Sequence, residues 1–245
     1  MERNIILDEN GSEQIIQHPL LCSHNTFTYL RPRKIWHYIC IPFARCQNKG
    51  LIKQIEEGIQ VFDIRVRFDN SGYLILCHGL FELKLEIPVI EYELSGINTR
   101  YVLSEKYKFP NFIDWLLNIV NIYIPNNEQV YFRLILETSK EDIVQELFFI
   151  NFCRYFHNIT EKQKNLNIIG CNRKFDWKKL YNTLEPEPNI FQHISSYPNY
   201  KESIKPRWYE KICPWLYAKR TNSIYKHNFN MGMYKNYDIV SYDFV

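Results

Sequence analysis

Apolar side chains along this chain fall into two alternating kinds of segment. Short β-branched and aromatic runs, which read as strands, occupy residues 19–22, 59–68, 73–77, 129–136, 166–170, 190–194, 215–219 and 237–244. Between most of them the apolar positions recur with helical period. Residues 49–57 carry Leu51, Ile52 and Ile55 on one stripe and stop at Gly58, a favourable helix end. Residues 111–122 and 141–157 predict longer amphipathic helices, the second preceded by Ser139 and acidic in its first turn. Residues 176–182 predict a shorter one. Strands alternating with helices indicate parallel βαβ units. Eight strands within 245 residues therefore predict an α/β fold, a distorted (β/α)8 TIM barrel formed as a single domain over residues 1–245. Its helix between the second and third strands is expected to be missing or irregular. An open doubly wound sheet is the rival, but no G-x-G-x-x-G or phosphate loop follows any strand.

Composition narrows the class of protein. The chain is 46% apolar and 23% charged, as ordinary globular proteins are, and its 18 Tyr and 16 Phe suffice for one large core. A net charge of +3 is too small to indicate a nucleic-acid partner. Seven cysteines are scattered with no C-x-x-C pair, which speaks against a zinc site or a disulfide framework. Several sit in apolar runs (Cys22, Cys77, Cys153) and read as buried thiols of a reducing compartment. The first residues carry acids where a signal peptide needs an apolar run. The most apolar helical stretch, residues 112–124, is broken by Asp114, Asn118 and Asn121, short of a membrane span. A cytoplasmic protein without a transmembrane segment is the expectation.

The active site of such a barrel lies at the C-terminal ends of its strands. The first strand ends in Ser23, His24 and Asn25, the third in His78 and Gly79, and the fourth in Glu137. The fifth runs towards Arg173, the seventh to Lys219 and Arg220, and the last carries Asp243. Asp63, Arg65 and Arg67 follow one another at spacing two, so they share a strand face opposite Phe62, Ile64 and Val66. A strand covered on both sides should be almost continuously apolar. Charges on it need one another, or a ligand, to offset desolvation. A structural ion pair between Asp63 and Arg65 satisfies that requirement; the two histidines at neighbouring strand ends favour a site. His18, His37, His157, His193 and His227 lack such company and read as structural or solvent-facing. Two imidazoles, whose ordinary pKa is about 6.5, and a guanidinium suit displacement at a phosphodiester. One ring takes a proton, the other gives one, and the arginine holds the non-bridging oxygens.

Three short motifs then carry a family resemblance. Ser23-His24-Asn25-Thr26, the run from Gly58 through Asp63 to Arg65, and His78-Gly79 resemble the X-domain of phosphatidylinositol-specific phospholipases C. The closing Ile239, Val240, Ser241, Tyr242, Asp243 and Phe244 are similar to the last barrel strand of the bacterial enzymes. The resemblance implies attack of the inositol 2-hydroxyl on phosphorus, releasing diacylglycerol and a cyclic inositol phosphate. It makes His24 the general base, Asp243 its carboxylate partner, Arg65 the phosphate-binding arginine and His78 the general acid. Asp63 matches an acidic position of the same strand, and Asn25, Glu137 and Arg173 are expected on the substrate. Asn25 stands where the bacterial enzymes have an aspartate that pairs with the acid histidine. The calcium-dependent eukaryotic enzymes have asparagine there as a ligand, and carboxylates at the positions of Asp63 and Glu137. Arg65 would place a positive charge in that calcium site. The metal-independent form without a cofactor is therefore expected, with calcium as the alternative.

The partner implied is a phospholipid at a membrane surface, met by a monomer. In residues 29–38 basic and aromatic side chains interleave, as a segment lying on an anionic interface would. The same run also suits an ordinary loop on the barrel rim. Two rival functions follow: a glycerophosphodiester phosphodiesterase-like enzyme on another headgroup, and a catalytically silent lipid- or partner-binding module.

Overall fold

Burial on both faces makes the central strands of this protein nearly continuous apolar runs, and the few charges they carry all point one way. We describe the fold from a computed structural model, in residues 5–7, 13–15, 20–92, 99–126, 128–138, 142–163, 165–173, 193–195, 205, 207–212, 214–230 and 239–242. The chain order begins with β1 (Ile5–Leu7) and β2 (Glu13–Ile15), a small antiparallel pair. Then come β3 (Leu20–Ser23), a 3-10 turn (Ile35–Cys40), α1 (Ile41–Ala44) and α2 (Leu51–Glu56). β4 (Val61–Phe68), β5 (Leu74–His78), β6 (Phe81–Glu82), β7 (Ile87–Tyr92) and β8 (Thr99–Ser104) follow. The rest is α3 (Phe109–Tyr123), β9 (Val130–Leu136), α4 (Ile143–Thr160), β10 (Leu166–Arg173), β11 (His193–Ser195), α5 (Trp208–Ile212), α6 (Pro214–Asn230) and β12 (Ile239–Tyr242).

The main sheet runs in parallel in the order β10-β9-β4-β3-β12-β11. On its outer side α3 buries Phe112, Ile113, Leu116, Leu117 and Val120, and α4 buries Phe149, Phe152, Cys153 and Phe156, each set at helical spacing. They share one core with Phe62, Ile64 and Val66 of β4 and Phe132, Leu134 and Leu136 of β9. Strand alternation then sends Asp63 and Arg65 of β4, and Arg133 and Ile135 of β9, to the opposite face. Asp63 pairs in register with Arg133, and Arg65 with Ile135. Cys22, Cys77 and Cys153 are buried, as their apolar runs led us to expect, and Cys46 is buried with them.

The mixed α/β arrangement agrees with the sequence pattern, but the closed eight-stranded barrel is not found among the described residues. Two of the eight predicted strands account for this. Residues 215–219 are helical, inside α6, with Pro214 at its start and Tyr217, Ala218 and Thr221 buried at helical spacing. Their short apolar run is compatible with either period, and the longer 3.6-residue pattern decides it. Residues 73–77 do form a strand, β5, but it returns antiparallel on β4 through a tight turn. That turn needs no intervening helix. Six parallel strands remain, and among the described residues the two end strands, β10 and β11, do not pair with each other. The second long helix starts at Ile143, capped by the Asp142 side chain on the amides of Val144 and Gln145. Ser139 and the helix predicted over 176–182 lie outside the described residues. The β7–β8 hairpin was not predicted.

The β4–β5 turn offers a test of this packing. Asp69 closes it through Ser71 and Tyr73, and Gly72 adopts a φ of 74°. A Cβ at Gly72 would stand 2.7 Å from the Phe148 ring of α4. Gly72→Ala is expected to cost about 1–3 kcal/mol, read as a lower urea midpoint. An unchanged midpoint would show that ring and turn relax together.

Candidate active site

The site is assembled where β3, β4, β5 and β9 end. After Ser23 the chain turns at Asn25, whose φ of 51° is left-handed, a conformation that asparagine tolerates better than most residues. The turn is fixed by Thr28 N–H on the Asn25 carbonyl and Thr26 N–H on the Asp63 carbonyl, both at 3.0 Å. Gln54 of α2 braces it from below: its amide donates to the carbonyls of Thr26 (2.9 Å) and Lys49 (2.8 Å), and its oxygen accepts from the Ser23 hydroxyl. Glu137 follows β9 directly, its N–H on the Val66 carbonyl at 3.0 Å.

Arg65 is the centre of the constellation. Its guanidinium donates to Glu137 Oε1 at 2.7 Å, to Asp63 Oδ2 at 3.0 Å and Oδ1 at 3.3 Å, and to His24 Nε2 at 2.9 Å. The Asp63 and Glu137 side chains are fully buried. Arg133 stands 3.8 Å from Asp63 and adds a second positive charge beneath it. Burial pushes the Asp63 carboxyl up, but Arg65, Arg133 and then His24 outweigh it and hold the group well below the usual carboxylate range. Burial likewise acts to lower the proton affinity of Arg65, and the two carboxylates reverse that, leaving it permanently charged.

The two histidines differ in their partners. A guanidinium only donates, so His24 Nε2 accepts from Arg65, and a neutral His24 ring carries its proton on Nδ1. Asn25 Nδ2 lies 3.3 Å from the same nitrogen. His78 Nδ1 meets the Ala44 carbonyl at 2.7 Å. A carbonyl only accepts, so that nitrogen holds the proton and Nε2 keeps a lone pair. Desolvation first, and the positive charge of Arg65 second, push the His78 ring down to about 4; the Ala44 bond opposes both.

Of the residues singled out in the sequence, His24, Asn25, Asp63, Arg65 and Glu137 are thus joined, with His78 beside them. Arg173 ends β10 in register with Leu136, next to Glu137 in sequence. Asp243 lies outside the described residues. Arg220, proposed as a strand end, is instead a helical residue paired with Glu210 of α5. Arg67 stays on the rim, 3.7 Å from Glu82. Sequence reasoning missed Thr28, Cys46, Gln47 and Gln54. Cys46 Sγ is 3.4 Å from Asn25 Nδ2 and 4.0 Å from His78 Nδ1. Only Gln54 left a trace in the sequence, as a polar residue within the α2 apolar stripe. Among the described residues no three His, Cys, Asp or Glu side chains are placed to hold a metal ion.

No family model and no curated protein sequence matches the chain. Solved structures do. A point mutant of the phosphatidylinositol-specific phospholipase C from Staphylococcus aureus aligns with a TM-score of 0.54 at 16% identity, over 94% of this chain and 86% of that one. The phosphatidylinositol-specific phospholipase C from Listeria monocytogenes gives 0.54 at 14% identity, over 93% and 88%. The described chain therefore has the fold of the bacterial phosphatidylinositol-specific phospholipases C.

Proposed function

We propose that the protein is a metal-independent phosphodiesterase of the phospholipase C type, acting on phosphatidylinositol from a distorted TIM barrel. The observation that carries the reading is the convergence of Arg65, from within β4, with His24 and His78 at the ends of the two strands beside it, each ring with Nε2 bare of hydrogen when neutral. His24 takes the proton of the inositol 2-hydroxyl as that oxygen attacks phosphorus. Arg65 binds the non-bridging oxygens, where negative charge builds up. His78, protonated on Nε2 once the phosphate anion offsets the charge of Arg65, gives that proton to the diacylglycerol oxygen as the P–O bond breaks. In the second step water attacks the cyclic phosphate with the two rings in exchanged roles.

Asp243 is assigned to His24 and Arg173 to the inositol hydroxyls. Register supports both: Tyr242 pairs with Ser23, and Arg173 with Leu136. The substrate is reached at a membrane surface from the cytoplasm by a monomer. No described helix is long and apolar enough to cross a membrane. The silent lipid-binding reading draws on Ile35, Trp36 and Ile39, which are exposed on the 3-10 turn.

Phosphorus NMR of the products formed from phosphatidylinositol tests the reaction, and a cyclic phosphate is expected. His24→Ala and His78→Ala are each expected to lose about 10²–10⁴ in turnover while staying folded. Vesicle binding retained with no turnover in the unmutated protein would establish the silent module instead.

Arg65 lies between Asp63 and Glu137 and would repel a cation there. Activity should survive dialysis against a chelator, and loss on chelation with recovery on adding calcium would reverse this assignment. Arg65→Lys keeps the charge but loses the planar fork, with an expected loss of about 10²–10³ in turnover.

The His78 ring sits near 4 when folded, against an ordinary 6.5. The unfolded chain then takes up this proton first. The contribution of neutral His78 to stability is complete above pH 6.5 and is lost as the pH falls towards 4. Ring NMR of the folded protein without substrate should show a midpoint close to 4. A midpoint at or above 6.5 would mean that a negative partner holds the ring.

A further inference from the structure

We infer that Thr28 is a positioning residue that sets the tautomer of His78 through the segment 44–47. The inference deepens the proposed function and rests on His78 as the proton donor of that reading. Thr28 is 3% exposed, and its hydroxyl uses its whole hydrogen-bonding capacity. The Oγ1 accepts from the amides of Cys46 at 3.0 Å and Gln47 at 2.9 Å, and donates to the Asn25 carbonyl at 2.8 Å. Gln47, fully buried, adds a second tie, its Nε2 donating to the His24 carbonyl at 2.9 Å. The segment 44–47 is thereby fastened to the turn that carries His24 and Asn25.

The opposite end of that segment presents the Ala44 carbonyl to His78 Nδ1 at 2.7 Å. Asn25 does not orient this ring: its Nδ2 is directed to His24 and Cys46, and its buried Oδ1 has no hydrogen-bond partner. Among the described residues, the oxygen within hydrogen-bond distance of His78 Nδ1 belongs to the backbone. A backbone acceptor is only as well placed as the loop that holds it. Thr28, whose hydroxyl bonds to Asn25, Cys46 and Gln47 and to neither ring, therefore decides which nitrogen of His78 is bare and where it points.

The test reads the tautomer directly, on the full chain without substrate. Nitrogen-15 NMR of the His78 ring is expected to show one neutral form protonated on Nδ1. Hydrogen exchange is expected to show the Cys46 and Gln47 amides protected. Thr28→Val keeps the shape and removes both acceptor bonds. It should speed exchange of those amides by about 10–100-fold, mix the His78 tautomers, and lower kcat by about 10²-fold with less change in KM. Thr28→Ser should return all three readouts.

An Nε2–H tautomer in the unmutated protein, or unprotected Cys46 and Gln47 amides, would overturn the inference without any variant. So would a folded Thr28→Val protein with an unchanged His78 spectrum. If Thr28→Val does not fold, the unmutated and Thr28→Ser spectra still decide. Absence of turnover on phosphatidylinositol would count against the proposed function, and the tautomer and exchange results would stand apart from it.

Discussion

A guanidinium buried on a strand face is the constraint from which the rest of this structure follows. Arg65 projects from β4 into a face where water is nearly excluded, its side chain 11% exposed. Stranding one charge of such a set typically costs about 3–5 kcal/mol. Its partners must therefore be within reach wherever the chain puts them. Asp63 is supplied by the same strand, two residues away, and Glu137 by the neighbouring strand end. The parallel β4–β9 register that brings Glu137 there also sets Arg133 opposite Asp63. Two positive and two negative groups then balance across one pair of strands.

That balance fixes what the opposite faces of those strands must do. Because Asp63, Arg65 and Glu137 occupy the inner side, Phe62, Ile64 and Val66 of β4 and Phe132, Leu134 and Leu136 of β9 have to be covered from outside. α3 and α4 perform this with aromatic side chains, Phe132 against Phe156 at 4.9 Å and Phe152 against Phe156 at 5.9 Å. A one-residue slip of either strand would drive these rings and the charges into each other's places. The core and the site enforce the same register.

Much of this was legible in the sequence, for the same reason. Charges at spacing two inside an apolar strand are costly, so Asp63 and Arg65 stand out in any reading of residues 59–68, and the polar ends of flanking strands locate His24, His78 and Glu137. The parallel strands around them were legible from their apolar runs. What failed had no such penalty attached. An apolar run as short as 215–219 fits a helix or a strand equally well, and its neighbours over the next turns settled it. The direction of β5 depends on a four-residue turn, which hydrophobic pattern does not encode. Thr28, Cys46 and Gln47 act through backbone groups and through each other. Uncharged residues in a loop carry no period, and burial reveals them only when the fold is complete.

Under the proposed function, the charge balance also explains how a neutral His78 would serve as a proton donor. With both rings neutral, Arg65 and Arg133 cancel Asp63 and Glu137, and the positive charge of Arg65 disfavours a proton on His78. A phosphodiester brings one negative charge to the guanidinium. It then reverses the field that His78 experiences, and proton uptake on Nε2 restores neutrality. His24 responds differently. Its Nε2 already accepts from the guanidinium, and phosphate oxygens compete for that same N–H, so substrate releases the lone pair as it binds. In that proposed reaction a single event, arrival of the phosphate at Arg65, would free one ring as a base and charge the other as an acid. The ion pairs of Arg65 with Asp63 and Glu137 are complete without a charge on either ring, so in this reading the phosphate is what calls both functions forth.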